Sequence, residues 1–134
     1  MIKVRSIDHI VLRTTKLDDM IRFYCDVLGC TVERELDPGV GLTQLRAGSA
    51  LIDLVEVNSQ LGRIGGGAPT TSENNLDHFC LQLEKISEQQ LCFHLKRQGI
   101  NPGEFQNRYG AQGFGKSVYV TDPEGITVEL RSET

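Results

Sequence analysis

The sequence predicts an α+β fold of two βαβββ modules in tandem, each giving one histidine and one carboxylate to a shared metal site. Three observations carry this reading. The segment Ile7-Asp8-His9-Ile10-Val11-Leu12 returns, 69 residues on, as Leu76-Asp77-His78-Phe79-Cys80-Leu81. Each copy runs into a helix-like stretch that closes on glycine, at Leu28-Gly29-Cys30 and Gln98-Gly99-Ile100. Each half ends on a similar strand, Leu51-Ile52-Asp53-Leu54 and Thr127-Val128-Glu129-Leu130. The polar residues match as well as the apolar ones, which separates a diverged duplication from a coincidence between short β patterns.

The elements follow in order. Residues 7–13 alternate as a strand. Leu17, Met20, Ile21, Tyr24, Val27 and Leu28 fall at helical spacing, so one amphipathic helix is expected over 17–28, stopped by Gly29. Strands are expected near 31–36, 41–47 and 50–57. Residues 58–75 are rich in Gly, Ser, Thr and Asn and read as a linker or flap. In the second half Ser87 and Gln90 form a capping-box pattern, with Ile86 and Leu91 placed as its hydrophobic staple. That helix ends at Gly99. Strands are expected near 103–108, 116–121 and 126–131, the last two joined by the turn sequence Thr121-Asp122-Pro123-Glu124-Gly125. The whole of 1–134 reads as one domain: module 1 over roughly 5–57, the linker, then module 2 over roughly 76–132.

Composition narrows the function classes. With 134 residues, 39% hydrophobic and 24% charged, the chain reads as globular. Its net charge of −4 and the lack of a Lys/Arg cluster argue against a nucleic-acid partner. No apolar run is long enough to span a bilayer. Met1-Ile2-Lys3-Val4-Arg5 has no signal-peptide core, so a cytoplasmic location is expected. Cys25, Cys30, Cys80 and Cys92 have no metal-like spacing and read as small packing residues.

Four residues stand out as metal ligands: His9, Asp53, His78 and Glu129. Alternation puts His78 on a face with Cys80 and Gln82, and Glu129 on a face with Thr127 and Arg131. A carboxylate inside a strand-rich core is costly unless paired or bound to a cation. Imidazole with carboxylate suits Zn, Fe, Mn, Ni or Co, and two nitrogens with two oxygens leave room for water or substrate. Singly, His9 and His78 also read as hydrogen-bonded core histidines, Asp53 as the partner of a nearby arginine, and Glu129 as the partner of Arg131 or of an edge strand; the matched positions in both halves favour the metal. Glu56, three residues beyond Asp53, is the second choice for that position. Arg13, Gln44, Arg46, Gln82, Tyr109 and Lys116 are candidate substrate contacts; Arg13, Gln44, Arg46, Gln82 and Arg131 point to an anionic or polar small molecule, and surface salt bridges account for such arginines equally well.

The sequence resembles the vicinal oxygen chelate superfamily, which includes glyoxalase I, bleomycin- and fosfomycin-resistance proteins, methylmalonyl-CoA epimerase and extradiol dioxygenases. The resemblance rests on Ile7-Asp8-His9-Ile10, Phe23-Tyr24-Cys25-Asp26-Val27-Leu28-Gly29, Asp77-His78, and Asp122-Pro123-Glu124-Gly125 before Val128-Glu129-Leu130. It implies a curved mixed sheet around a divalent metal that holds substrate oxygens and stabilises an enolate or oxyanion, and a homodimer. It implies metal binding at the Asp53 position, where glyoxalase I and the epimerase usually have Glu, and carboxylate binding at Arg13. The glyoxalase Asn four residues past that acid is here Val57. Glu129 and Asp53 are the expected catalytic carboxylates of a lyase or isomerase. A drug-binding or thiol-transferring protein is the alternative, or, with His9, His78 and Glu129 alone, an Fe(II) dioxygenase. The extra histidine such dioxygenases use could only be His94, which reads better as a helix residue.

Gly110-Ala111-Gln112-Gly113-Phe114-Gly115-Lys116-Ser117 matches the phosphate-loop pattern G-x-x-x-x-G-K-S. That motif needs a helix after it. Here Val118-Tyr119-Val120-Thr121 alternates as a strand, so the stretch is expected to be a glycine-rich loop.

Overall fold

A computed structural model describes residues 1–72 and 74–134. Glu73, inside the expected linker, lies outside the described residues. The chain divides into two compact units, Met1–Thr70 and Thr71–Thr134.

The first unit has strands β1 (His9–Thr14), β2 (Thr31–Glu35), β3 (Leu42–Ala47) and β4 (Ala50–Glu56), with helix α1 (Leu17–Arg22) between β1 and β2. The second has β5 (His78–Leu83), α3 (Glu88–Arg97), β6 (Gln106–Gly110), β7 (Gly113–Thr121) and β8 (Thr127–Ser132). The sheet orders are β1-β4-β3-β2 and β5-β8-β7-β6, and in each the first strand runs parallel to the last. The same order twice is the architectural form of the repeat.

Each sheet buries one face under its helix. In the first unit Leu12, Leu45, Ile52 and Leu54 share the core with Met20, Phe23, Tyr24 and Val27. In the second the core is Leu91, Leu95, Val118, Val120, Val128 and Leu130. Each such side chain contributes about 1.5–3 kcal/mol on full burial. The other face of each sheet carries the candidate ligands.

The helix ends show why the two glycines matter. At Gly99 (φ 76°) the chain makes a Schellman closure, Gly99 N–H to Lys96 O (3.0 Å) and Ile100 N–H to Leu95 O (2.8 Å). At Gly29 (φ 80°) the same turn is one residue wider: Cys30 N–H reaches Tyr24 O (2.9 Å). The expected helix over 17–28 is therefore two pieces, α1 and a π-helical turn (Phe23–Val27), with Leu28 N–H donating to Phe23 O. Widening turns Phe23, Tyr24 and Val27 all inward, where each is buried.

The capping box forms as expected: Gln90 N–H donates to Ser87 Oγ (3.1 Å), and Ser87 N–H to Gln90 Oε1 (3.2 Å). The expected linker holds a short helix, α2 (Gln60–Arg63), capped by Ser59 Oγ, which accepts from Gly62 N–H. The phosphate-loop pattern lies on a β-hairpin, β6 pairing with β7 down to Gly110 and Gly113. No helix follows it. Among the described residues no helix is long and apolar enough to cross a membrane.

Candidate functional site

In the second unit His78 and Glu129 meet. Strand pairing sets Cys80 beside Glu129 and His78 beside Thr127, so all four share the face away from α3. His78 Nε2 lies 3.3 Å from Glu129 Oε1, and the glutamate side chain is buried. Two donors about 2.1 Å from one ion and about 100–110° apart are themselves about 3.2–3.4 Å apart. The 3.3 Å contact is that of an imidazole–carboxylate pair, and the same spacing would suit two ligands on one metal. His78 Nδ1 is held at 2.6 Å by Asp77 Oδ1. An ionised carboxylate only accepts, so the Nδ1 proton points to Asp77 and Nε2 is the nitrogen open to a metal. The Tyr119 ring packs edge-on against the imidazole at 5.3 Å. Burial, and then Glu129, push the Cys80 thiol up to about 11, so it stays protonated at neutral pH and is no thiolate nucleophile.

The first unit repeats the register. Val11 pairs with Asp53 and His9 with Leu51. His9 Nδ1 is held by Asp8 Oδ1 at 2.7 Å. That hydrogen bond, aided by the Asp53 charge, raises the His9 pKa against an opposing effect of burial. Asp53 is buried, and both its oxygens accept from Gln44 Nε2, at 3.3 and 3.2 Å. Gln44 Oε1 accepts in turn from Arg34 Nε at 2.8 Å. The two pairs share one strand register, so their difference is side-chain length: Glu129 reaches its histidine and Asp53, one methylene shorter, is met by Gln44. Among the described residues no three or more His, Cys, Asp or Glu side chains gather as a metal-holding group, so the donors are seen as pairs.

Residues 6–130 match the Glyoxalase/Bleomycin resistance protein/Dioxygenase superfamily. The chain belongs to this superfamily. It is 32% identical over 133 residues to the glyoxalase domain-containing protein RDO1 of Mycosarcoma maydis, covering 98% of this chain and 70% of that protein. Two solved structures show the same fold. A protein from the mobile metagenome of V. Pseudocholerae is 24% identical, with a TM-score of 0.82 over 100% of this chain and 98% of that one. A lactoylglutathione lyase from Agrobacterium tumefaciens is 24% identical, with a TM-score of 0.67 over 95% and 92%.

Within this superfamily member the remaining candidates fall into three groups. Glu56, Tyr109 and Lys116 are on the wrong face. Glu56 pairs with Thr14 and lines a hollow with Thr15 to Asp19, on the α1 side of the sheet. Three residues from Asp53 is an odd step, and alternation turns it away. Lys116 and Tyr109 likewise alternate with the site-facing Gly115 and Arg108, and Tyr109 is exposed, packing edge-on against Phe114. Arg13 and Arg46 are on the right face but already engaged. Arg13 donates to the carbonyls of Gly62, Gly66 and Gly67, tying β1 to the segment after β4. Arg46 makes a two-pronged pair with Glu33, which a register shift in β2 turns toward it. Gln44 contacts Asp53, as described. Gln82, on the face of His78, donates to the Arg131 carbonyl at 3.3 Å.

Sequence reasoning missed Asp8 and Asp77 as the groups that orient the histidines. The signal was present, because Asp-His recurs in both halves. It also missed Arg108, whose guanidinium lies 4.1 Å over the Tyr119 ring while Nη1 donates to Ser117 O and Oγ. No sequence pattern separates that arginine from a surface one.

Proposed function

We propose that the protein is a divalent-metal-dependent lyase or isomerase of glyoxalase or epimerase type, acting on a small, anionic, oxygen-bearing molecule. The observation that carries this reading is the His78–Glu129 pair at 3.3 Å, with the imidazole fixed by Asp77. The proposed ligands are His9, Asp53, His78 and Glu129, a set compatible with Zn, Ni, Mn, Co or Fe. When bound, such an ion acts as a Lewis acid toward a substrate carbonyl. The chain supplies the rest. Asp8 and Asp77 hold the imidazoles in one tautomer. Glu129, with Asp53 as the second carboxylate, takes a proton from the carbon next to that carbonyl and returns it. The protein is proposed to work as a cytoplasmic homodimer.

Elemental analysis of the purified protein tests the metal: a stoichiometric divalent ion is expected, lost in the His9→Ala/His78→Ala variant. Turnover of methylglyoxal with glutathione tests the glyoxalase type. Absence of metal together with unchanged ligand binding in the double variant would refute the reading.

A second reading follows from the Gln44–Asp53 contact. With Asp53 held there, His9, His78 and Glu129 form a two-histidine, one-carboxylate set, which suits Fe(II) oxygen chemistry or thiol transfer to a drug. Oxygen uptake with a catechol, or an antibiotic bound without turnover, would favour one of these over the lyase.

A further inference from the structure

Strand β8 places Arg131 two residues beyond Glu129 on the same face, about 7 Å along the strand. Only 6% of the residue is exposed. Nη2 donates to Gly113 O at 2.9 Å, while Nη1 is buried and meets no acceptor. Among the described residues no carboxylate lies within ion-pair distance of this guanidinium. A buried cation with an unmet donor costs several kcal/mol unless something answers it.

The hairpin beside it is shaped for this side chain. A Cβ at Gly110 would stand 2.1 Å from Nη1, and one at Gly115 would stand 2.6 Å from Nη2. The glycines that mimic a phosphate loop are absences that make room for the arginine. A cavity of about 440 Å³ adjoins it, lined by Arg131, Gln82, Gln112, Phe114 and Glu133 among others. Two amides and a guanidinium around one hollow are donors to an oxyanion, with the Glu133 carboxylate on the same lining as an opposing charge.

We propose that Arg131, seated on the Gly110–Gly115 hairpin and flanked by Gln82 and Gln112, is the binding site for an oxyanion, the carboxylate or phosphate of a small acidic substrate. Its identity as a substrate subsite rests on the proposed function. The seat itself stands on the second unit alone, without a metal.

The test is an amide NMR titration of the full chain, in EDTA and at matched ionic strength, with inorganic phosphate and separately with acetate. Saturable shifts are expected at Gly113, Gly115 and Gln82, at least tenfold weaker in Arg131→Gln and intermediate in Arg131→Lys. A response to phosphate alone assigns a phosphate, and to acetate alone a carboxylate. No saturable shift with either anion overturns the proposal, as does equal affinity in Arg131→Gln. Should that variant not fold, Gly115→Ala, whose methyl group would displace Nη2, is read the same way. Anion binding in a protein that carries no metal would leave the seat standing and remove the lyase reading. Metal binding without anion binding would do the reverse.

Discussion

Replacing Asp77 with alanine separates folding from metal binding. The aspartate is 94% exposed and its partner imidazole about a third exposed, so water screens the pair. An exposed pair of this kind stabilises a fold by about 1 kcal/mol at most. In a unit of this size that corresponds to a fall in Tm of about 4–8 °C at the outside. Metal binding feels the loss differently. The 2.6 Å bond fixes the Nδ1 proton and aims Nε2 at Glu129. Removing the carboxylate behind a ligating histidine weakens metal by roughly 10–100-fold. Exposure places Asp77 near the lower bound, roughly tenfold or about 1.4 kcal/mol. Zn²⁺ affinity measured against a chromophoric chelator, beside a thermal melt, reads both quantities. Asp77→Asn keeps an acceptor and is expected to recover part of the affinity. Unchanged Zn²⁺ affinity in Asp77→Ala, and also in the Asp8→Ala/Asp77→Ala pair, would refute the positioning role.

Other outcomes follow from the same structure. Glu129→Asp retracts the carboxylate by one methylene from His78, so Zn²⁺ affinity should fall more than about tenfold with little change in melting; equal affinity would show that the 3.3 Å contact is not a metal bite. Gly62→Ala would set a methyl group 1.8 Å from the Glu56 carbonyl oxygen, which is backbone and cannot step aside, and urea melts should show a loss of about 3 kcal/mol or more. Leu95→Ala empties a fully buried position in α3 and should cost about 2–5 kcal/mol by the same measurement. Burial pushes the Cys30 thiol from 9.0 to about 11. Its contribution to stability is complete below pH 9 and is lost as pH rises toward 11; Cys30→Ala should flatten that part of the stability profile, and an unchanged slope would contradict the assignment.

The βαβββ succession along the chain, the helix positions and the caps were legible because each rests on short-range patterns: alternation in β1, β5 and β8, the Ser87–Gln90 box, the glycines at 29 and 99. What escaped was geometry set by neighbours. The π-helical turn at Phe23–Val27 brings three side chains into the core from one widened turn, which a 3.6-residue period does not report. Strands near the hairpin shifted, with β6 at Gln106–Gly110 and β7 starting at Gly113, because pairing extends to the turn itself. At the site, residue type identified His78 and Glu129 as candidates, while the partners of Arg13, Arg46 and Gln44 depended on backbone carbonyls and cross-strand acids that composition does not reveal. The three-residue step that turns Glu56 to the opposite face from Asp53 was readable; whether Gln44 or a histidine would meet Asp53 was not.

The hairpin that carries Arg131 has a consequence for how this sequence can drift. Glycine at 110 and 115 leaves the guanidinium its place, and a side chain at either position would push the end of Arg131 aside, so these positions should covary with 131 across relatives. Where 131 shortens to a small or apolar residue, the constraint lifts and side chains can return to the hairpin. The likeness to a nucleotide-binding loop would then vanish without any change in chemistry, because it is the imprint of one arginine on the strands facing it.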